Sequence, residues 1–299
     1  MLLRVLGTAA GGGLPQWNCA CPGCAGARRH PSRRRLHDSL AFHGPRPDTW
    51  FLANASPDIA EQLESHPSLR PDDGNTRTPV VRVVLTDAEL DHTLGLLRLR
   101  EAAEIEVWCT EPVHKALNAR LPLTDILSPY TALTWHDLPL AGAGTPATIA
   151  GLHVSALPLS DKRPRYAADE PSHPAWSTAL KVHDPGTGTS ALYAPALAAW
   201  SDLLDGAIAG SDCVLLDGTF VDEDEPRRTG ISQRTASEMG HIPISGPEGS
   251  AHRLHRTGGQ IHYTHLNNTN PLGDPAAPEH EQLADLGLRV AEERMVVTL

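Results

Sequence analysis

Residues 87–93 form the segment that most constrains this chain. They follow the apolar run Pro79–Leu85, whose valines are typical of a buried β-strand. Four side chains in the segment can bind a metal ion: Asp87, Glu89, Asp91 and His92. Carboxylates at this spacing repel one another unless a cation or a proton lies between them, and imidazole is the most common transition-metal ligand. The segment therefore predicts a metal site at the end of a strand. A solvated acidic turn that caps a helix from Leu94 is the alternative.

Apolar runs separated by turn residues predict alternating strands and helices along the chain. We expect strands at Leu2–Leu6, Ser39–Phe42, Trp50–Ala53, Val80–Leu85, Glu104–Cys109, Leu180–Val182, Ala191–Tyr193, Cys213–Leu216, Gln260–His265 and Val296–Leu299. We expect helices at Ile59–Leu63, Leu94–Ala103, Glu111–Ala119, Leu197–Ile208, near Thr235 and at Glu279–Leu286. This pattern is typical of a layered α/β domain. No repeat or boundary divides residues 1–299, and the irregular segment Ser160–Pro174 is either a substrate loop or disordered.

The charge balance excludes several classes of partner. The 25 basic and 36 acidic residues give a net charge of −11, which opposes general binding to nucleic acid or to anionic lipid. No apolar run approaches the roughly 18 residues of a membrane span, and the apolar start is too short for a signal peptide. We therefore expect a cytoplasmic protein without a membrane partner, and a homodimer is compatible with this sequence. The basic segment Arg28–Arg35 is interpreted as a solvated loop, or as a docking patch for an acidic peptide or a small anion.

Three of the five cysteines, Cys19, Cys21 and Cys24, are clustered with C-x-C-x2-C spacing. In a chain without a secretion signal such clustering favours metal over disulfides. Three thiolates can share one Zn²⁺, which takes four ligands, so a fourth must come from elsewhere in the chain. A structural zinc in a loop spanning about residues 14–38 is the prediction, and reduced cysteines without metal are the alternative. Cys109 and Cys213 are expected to be small core residues.

A late histidine, His265, ends the predicted strand Gln260–His265 and precedes an amide-rich loop. Ligands in layered α/β folds usually project from strand ends, so His265 is a candidate metal ligand. A core histidine bonded to the backbone is the alternative. The nearby asparagines, Asn267, Asn268 and Asn270, are typical of a hydrogen-bonded turn. His262, earlier on the same strand, is interpreted as structural.

Eight motifs carry a resemblance to a known family: Gly7–Cys24, Asn54–Ile59, Asp91–Glu101, Glu106–Thr110, Tyr193–Pro195, Leu216–Phe220, Glu238–His241 and His265–Pro271. On these the chain resembles, nearly end to end, the pyrroloquinoline quinone (PQQ) biosynthesis protein B family of the metallo-β-lactamase superfamily. The resemblance implies a four-layered αββα sandwich with its metal site at the edge of two sheets. It also implies that a histidine completes the cysteine site, as in related phosphodiesterases, and His241 stands where that ligand is expected.

Ordinary dinuclear members of the superfamily bind one metal through a His-x-His pair and a third histidine. Here Asp87 and Glu89 stand at the two positions of that histidine pair. Tyr193 begins the motif that stands where these members usually have a bridging aspartate. The ligands that survive belong to the other metal: Asp91, His92 and His265. Two imidazoles and one carboxylate match the facial triad of non-haem Fe(II) oxygenases. Asp87, Glu89 and Asp217 are then expected to orient ligands or to move protons.

The resemblance implies an Fe(II)- and O2-dependent hydroxylase that acts on a tyrosine-derived, peptide-derived precursor of the quinone. Its cofactors would be structural zinc and catalytic iron, with Asn267 or Asn270 near the substrate. Two other functions stay open: a zinc hydrolase of the phosphodiesterase kind, and a non-catalytic carrier of the quinone or its precursor. The middle of the chain, Ser160–Trp176, departs most from the family pattern, so a paralogue acting on another peptide-derived aromatic precursor is a further alternative.

Overall fold

Two seven-stranded sheets form the centre of the structure, a computed structural model that describes residues 1–45, 49–71, 74, 80–254 and 259–299. Numbered along the chain, the strands of the first sheet are, from edge to edge, β14 (Val296–Thr298), β1 (Leu2–Gly7), β2 (Ser39–His43), β3 (Trp50–Ala53), β4 (Val80–Val84), β5 (Glu104–Cys109) and β6 (Ala132–Asp137). Those of the second are β13 (Arg289–Val290), β12 (Gln260–Thr264), β11 (Cys213–Asp217), β10 (Ser190–Ala194), β9 (Ser177–His183), β8 (Leu152–Ser160) and β7 (Ala147–Ile149).

Helices cover the outer face of each sheet. The α-helices of the described residues are α1 (Pro22–Arg29), α2 (Ile59–Glu64), α3 (Leu90–Thr93), α4 (Glu111–Ala119), α5 (Leu123–Leu127), α6 (Asp202–Ala209), α7 (Glu225–Arg228), α8 (Ser250–Leu254) and α9 (Glu279–Asp285). Short 3-10 segments lie at Pro31–Arg33, Pro67–Leu69, Leu94–Leu99, Arg165–Ala167, Ser237–Met239 and Pro271–Gly273.

The buried side chains form three main layers of core. One lies between the sheets, where Phe42 stacks on Phe51 with ring centroids 5.1 Å apart. A second joins the outer face of the first sheet to α2, α4 and α5, and a third joins the second sheet to α6, α8 and α9. Helix, sheet, sheet and helix therefore follow one another in space. This confirms the four-layered αββα metallo-β-lactamase sandwich expected from the sequence.

The candidate ligands lie at the ends of three parallel strands, β4 in the first sheet and β11 and β12 in the second. Strands β3 to β6 pair in parallel, as do β10 to β13. Asp87 follows β4, Asp217 ends β11 and His265 follows β12. Because parallel strands end at the same edge of a sheet, the candidate ligands lie together.

Two predicted helices differ from the structure, and one helix was not predicted. The helix predicted at Leu94–Ala103 is instead a 3-10 segment, Leu94–Leu99, after the single turn of α3. Here Gly95 packs so close to the backbone that a Cβ would lie 2.2 Å from the Ser56 carbonyl oxygen, and Gly95 N donates to the Ala55 carbonyl at 2.8 Å instead of to a carbonyl within a helix. Helix α6 begins at Asp202, not at Leu197, because the Ser201 hydroxyl caps it by accepting from Leu204 N. The cysteine loop contains a helix, α1, that the sequence did not predict.

No helix in the described parts of the chain has the length and apolar character that crossing a membrane requires.

The basic segment is mostly tied to the protein body. Arg28 donates to the carbonyls of Cys19 and Gln16, at 2.6 and 2.7 Å, and Arg33 pairs with Asp274. Half-buried Arg35 donates to the Thr8 hydroxyl at 2.8 Å and to the Ala291 carbonyl at 3.0 Å. These contacts use the guanidinium donors internally. Arg33 and Arg35 are therefore partly buried against the protein body, whereas Arg28 is exposed to solvent as the interpretation of a solvated loop expects.

Glu293 completes this attachment, since its carboxyl group accepts from the Thr8 hydroxyl at 2.7 Å and from Leu36 N at 3.3 Å. Burial raises the pKa of Glu293 from 4.5 to about 7, so the folded state favours the protonated form. This stabilisation is complete below pH 4.5 and is lost as pH rises through 7.

We predict that Glu293→Gln flattens the pH dependence of the free energy of unfolding. The wild type should lose about 1–2 kcal/mol more than the variant between acid and slightly alkaline pH, after allowance for partial exposure. Urea unfolding across the pH range measures this, with Glu281→Gln on the exposed face of α9 as the control. Parallel curves for Glu293→Gln and wild type would contradict it.

Candidate metal centre

Asp91, His92 and His265 meet at the edge of the two sheets. One ligand atom from each lies within 4.8 Å of the others. Asp91 Oδ2 is 3.6 Å from His265 Nε2 and 3.9 Å from His92 Nε2, and the two rings meet edge to face. The first two residues come from α3, just after β4, and the third comes from the end of β12. The structure therefore brings together the three residues that the sequence proposed as metal ligands.

The two imidazoles show that this group fits a cation. His92 Nε2 and His265 Nε2 are buried and have no hydrogen-bond partner within the described residues. The opposite ring nitrogens are both engaged, His92 Nδ1 by Asp87 at 2.8 Å and His265 Nδ1 by the Thr219 hydroxyl at 2.9 Å. An unpaired buried nitrogen costs about 1–3 kcal/mol. A metal ion between the two Nε2 atoms and Asp91 would satisfy all three groups.

Asp87 orients His92 and does not join the ligand group. Both of its carboxylate oxygens lie 2.8 Å from His92 Nδ1, and Oδ1 also accepts from Glu89 N. Burial raises the pKa of Asp87, but the neighbouring His92 outweighs it and holds this pKa below its usual range. An ionised Asp87 keeps the proton of His92 on Nδ1 and leaves Nε2 free for metal.

We predict that Asp87→Asn weakens metal binding at the candidate site by about 10–100-fold, because the amide no longer holds His92 as a carboxylate does. Titration with Co²⁺, followed by its absorption bands, measures the affinity. Asp184→Asn, which changes a buried carboxylate that binds the amino terminus, is the control. Unchanged Co²⁺ affinity in Asp87→Asn would show that Asp87 does not support the ligand.

Asp217 and His241 lie behind His265. Asp217 Oδ2 is 2.6 Å from His241 Nδ1, and the Thr219 hydroxyl lies within 3.0 Å of Asp217, His241 and His265. Burial raises the pKa of Asp217, but His241 outweighs it and lowers this pKa to about 2. Ligand atoms of these three residues are also close enough for a metal, yet the hydroxyl already bonds to all of them. We interpret them as a hydrogen-bonded support for His265.

The prediction that His241 completes the cysteine site is wrong. Its Nδ1 bonds to Asp217, and its Nε2 is 2.8 Å from Lys162 Nζ. The turn before it, closed by Gly240 at φ +84°, returns the chain over the end of β11. This folding brings His241 to the catalytic side, where it stacks on His265 with ring centroids 5.8 Å apart.

The side chain of Asn268 lies next to all three cysteines of the cluster. The sulfur atoms of Cys19, Cys21 and Cys24 lie within 4.8 Å of one another. The side-chain amide of Asn268 is 3.2, 3.5 and 3.4 Å from these sulfurs. An asparagine amide can be turned over to exchange its nitrogen and oxygen, so the oxygen can face a cation. The four groups fit one zinc ion. Asn268 was expected only in a hydrogen-bonded turn, and its place beside the three sulfurs was not predicted.

We predict that Asn268→Ala weakens zinc retention at the cysteine cluster, whereas His241→Ala does not. The first removes the fourth group beside the thiols and the second changes a distant residue. Zinc content after dialysis against a chelator, measured by atomic emission, tests this, and Tm should fall with zinc loss because the metal stabilises the loop. Zinc loss from His241→Ala with full retention in Asn268→Ala would restore the original assignment.

A cavity beside the candidate ligands is lined by only one of the two asparagines predicted near the substrate. That residue is Asn267. Asn270 is 2% exposed, donates to the carbonyls of Gly218 and Thr219, and accepts from Leu272 N. Its hydrogen-bonding groups are already used to join two loops. The prediction that Asn270 contacts substrate is therefore corrected.

A buried polar network beneath the ligands was not predicted. Asp38 accepts from the hydroxyls of Tyr193 and Thr264, at 2.8 and 2.6 Å. Asn54 donates to the Tyr193 and Thr86 hydroxyls, and Thr86 donates to Asp87. The chain of hydrogen bonds thus runs from the residue before His265 to the carboxylate that holds His92. Burial raises the pKa of Asp38.

A cavity of about 800 Å³ opens above the ligands. Its wall includes the segment 160–174, which is held against the acidic motif because the Tyr166 hydroxyl donates to the Ala88 carbonyl at 2.5 Å. Glu89 also lines the cavity, and burial and the nearby Asp87 raise its pKa. Of the two alternatives for this segment, the geometry favours a substrate loop over a disordered one.

Comparisons with known proteins identify the fold and the family. The model of the β-lactamase superfamily domain matches residues 49–265. The chain is 40% identical to the coenzyme PQQ synthesis protein B of Azoarcus sp. (strain BH72), over the whole of both chains, and 41% identical to that of Cupriavidus necator, over 99% of each. It is also similar to the crystal structure of zinc-bound PqqB from Methylobacterium extorquens, with a TM-score of 0.89, 30% identity and full coverage of both chains.

Proposed function

We infer the function from one premise: the chain belongs to the coenzyme PQQ synthesis protein B family of the metallo-β-lactamase superfamily. We propose that it acts in PQQ biosynthesis as an Fe(II)- and O2-dependent hydroxylase of a tyrosine-derived precursor. The cysteine cluster with Asn268 would hold structural zinc, and Asp91, His92 and His265 would hold the iron.

One observation carries the proposal. The unpaired Nε2 atoms of His92 and His265 face the same point as Asp91 Oδ2. Two imidazoles and one carboxylate are the ligand set that leaves positions open for O2 and substrate on non-haem iron. Iron bound there would supply the activation of O2.

The protein's own residues hold this arrangement in place. Asp87 and Thr219 bind the Nδ1 sides of the two histidines, so both rings present Nε2 to the cavity. The substrate loop, attached through Tyr166, forms one wall of the cavity above the ligands. Asn267, on the cavity wall, provides an amide that can orient a phenol hydroxyl.

The reaction balances with an external reductant. One oxygen atom of O2 enters an aromatic C–H bond to give C–OH, and the other leaves as water. Two electrons and two protons come from a small reductant of the ascorbate class.

The geometry is less suited to a zinc hydrolase with two metals. The carboxylate that replaces the first histidine, Asp87, is bonded to His92 through both oxygens. The second cluster, around Asp217, is filled by the Thr219 hydroxyl. Neither position offers the free, converging ligands that a second metal needs.

We predict oxygen insertion by protein that is loaded anaerobically with Fe(II), given ascorbate and tyrosine-containing di- and tripeptides, and then exposed to ¹⁸O2. In a parallel reaction with ordinary O2, the product should be about 16 mass units heavier than the peptide, since oxygenase chemistry at such a triad adds one oxygen atom. Mass spectrometry also shows whether the label comes from O2. His265→Ala should abolish the product, while His262→Ala, on the same strand but outside the ligand group, should retain it.

Absence of labelled product from every peptide would contradict the hydroxylase. Hydrolysis that requires two catalytic zinc ions would favour the hydrolase. Peptide or quinone binding that survives both His92→Ala and His265→Ala, without any reaction, would favour the carrier.

A further inference from the structure

The cavity above the candidate metal centre has a positively charged side, although the protein as a whole carries a net charge of −11. The residues that line this side are Lys162, Arg163, Arg165 and Arg234. Three of the four belong to the substrate loop, so these cations are concentrated on one wall of the cavity. Long-range repulsion disfavours anions near an acidic protein, so such a local arrangement calls for a specific explanation.

Two of these cations already have partners. Arg163 donates to the Glu170 carbonyl and lies 3.5 Å from Asp161, and Arg234 donates to the Glu238 carbonyl at 3.3 Å. These contacts within the protein hold the loops and explain the positions of both arginines, so no bound anion is required to explain them.

Lys162 and Arg165 differ from that pair, because in the described residues neither side chain donates to a loop carbonyl or has a carboxylate within 4.0 Å. The only hydrogen bond found there for Lys162 Nζ is to His241 Nε2, at 2.8 Å. One imidazole nitrogen accepts a single hydrogen bond, whereas an ammonium group has three donors. Arg165 is exposed on the same wall and has all five donors available.

The loop holds these two side chains close to the metal ligands. Tyr166, next to Arg165, is bonded to the Ala88 carbonyl, three residues before Asp91. Lys162 contacts His241, which stacks on His265. A molecule with its ring at the ligand group can therefore place an acidic substituent against the loop within the 800 Å³ cavity.

We propose that Lys162 and Arg165 form an anion subsite that binds a carboxylate of the aromatic substrate. The substrate class is then a phenol with a free carboxylate on its side chain. Charge-assisted hydrogen bonds from ammonium and guanidinium groups to a carboxylate are stronger than those to neutral acceptors. This subsite rests on the proposed function for the identity of the ring, but its recognition of charge does not require any reaction.

Binding without O2 tests the subsite with a matched pair of probes. N-acetyl-L-tyrosine and N-acetyl-L-tyrosinamide differ only in a carboxylate against a carboxamide. We expect the metal-loaded wild type to bind the acid about 10-fold more tightly at low ionic strength, and the preference to shrink with added salt. Calorimetric or NMR titration under anaerobic conditions measures both affinities.

Variants separate the loop from the metal as the source of this preference. Lys162→Met and Arg165→Met should each reduce it, the double variant should abolish it, and Lys162→Arg should keep most of it. Lys115→Met, on the exposed side of α4 where Lys115 pairs with Glu111, should bind as the wild type does. Amide binding should change much less than acid binding in all of them, because a neutral carboxamide gains less from these donors, and retained amide binding also reports that each variant is folded.

Equal affinity for the two probes in the wild type, or failure of both to bind at millimolar concentrations, would overturn the subsite. A preference that persists in the double variant would overturn it too, because the metal would then be binding the carboxylate. If the preference is found but no oxygen is inserted, the subsite stands and the hydroxylase is contradicted.

Discussion

Two buried imidazole nitrogens that lack a hydrogen-bond partner are the constraint on which the site depends. His92 and His265 come from opposite sheets, and each ring is held through Nδ1 so that Nε2 faces the same point. Without a cation this arrangement costs free energy that the rest of the fold must offset. The β-sandwich supports it by placing the ends of β4 and β12 at one edge, where two separate strand-end loops can supply ligands.

The network beneath the ligands shows how the two sheets are kept in register at this point. Asp38, Tyr193, Asn54 and Thr86 form a continuous buried path from Thr264, the residue before His265, to Asp87, which holds His92. Tyr193 begins the motif that was expected where dinuclear relatives carry a bridging aspartate. Its hydroxyl donates to Asp38 within the network. These polar contacts tie the candidate ligands to both sheets.

Much of the fold and the main ligand group could be predicted from the sequence because both depend on local signals. The alternating strands and helices, and the carboxylates after Val80–Leu85, are visible within short windows of residues. His241 was assigned wrongly because its position depends on how the long irregular segment after β11 folds back, which no local pattern encodes. The 3-10 segment at Leu94–Leu99 was missed because Gly95 is packed against a distant loop.

Asn268 was missed for a chemical reason, since an amide is not a typical zinc ligand and asparagine is common in turns. Two facts together could have found it: three thiols need a fourth group, and Asn268 lies three residues after His265. Asp38 gave no signal of its own, because a single aspartate before a strand has many ordinary roles. Buried polar networks join residues far apart in sequence, and for that reason they become visible only in the folded structure.

Metal analysis of protein purified without O2 distinguishes iron at the two histidines from a pair of catalytic zinc ions. We expect one zinc ion and one iron ion per chain, with iron lost and zinc retained in His92→Ala. Two catalytic metal ions per chain in addition to the zinc at the cysteine cluster, both lost in His92→Ala, would contradict it.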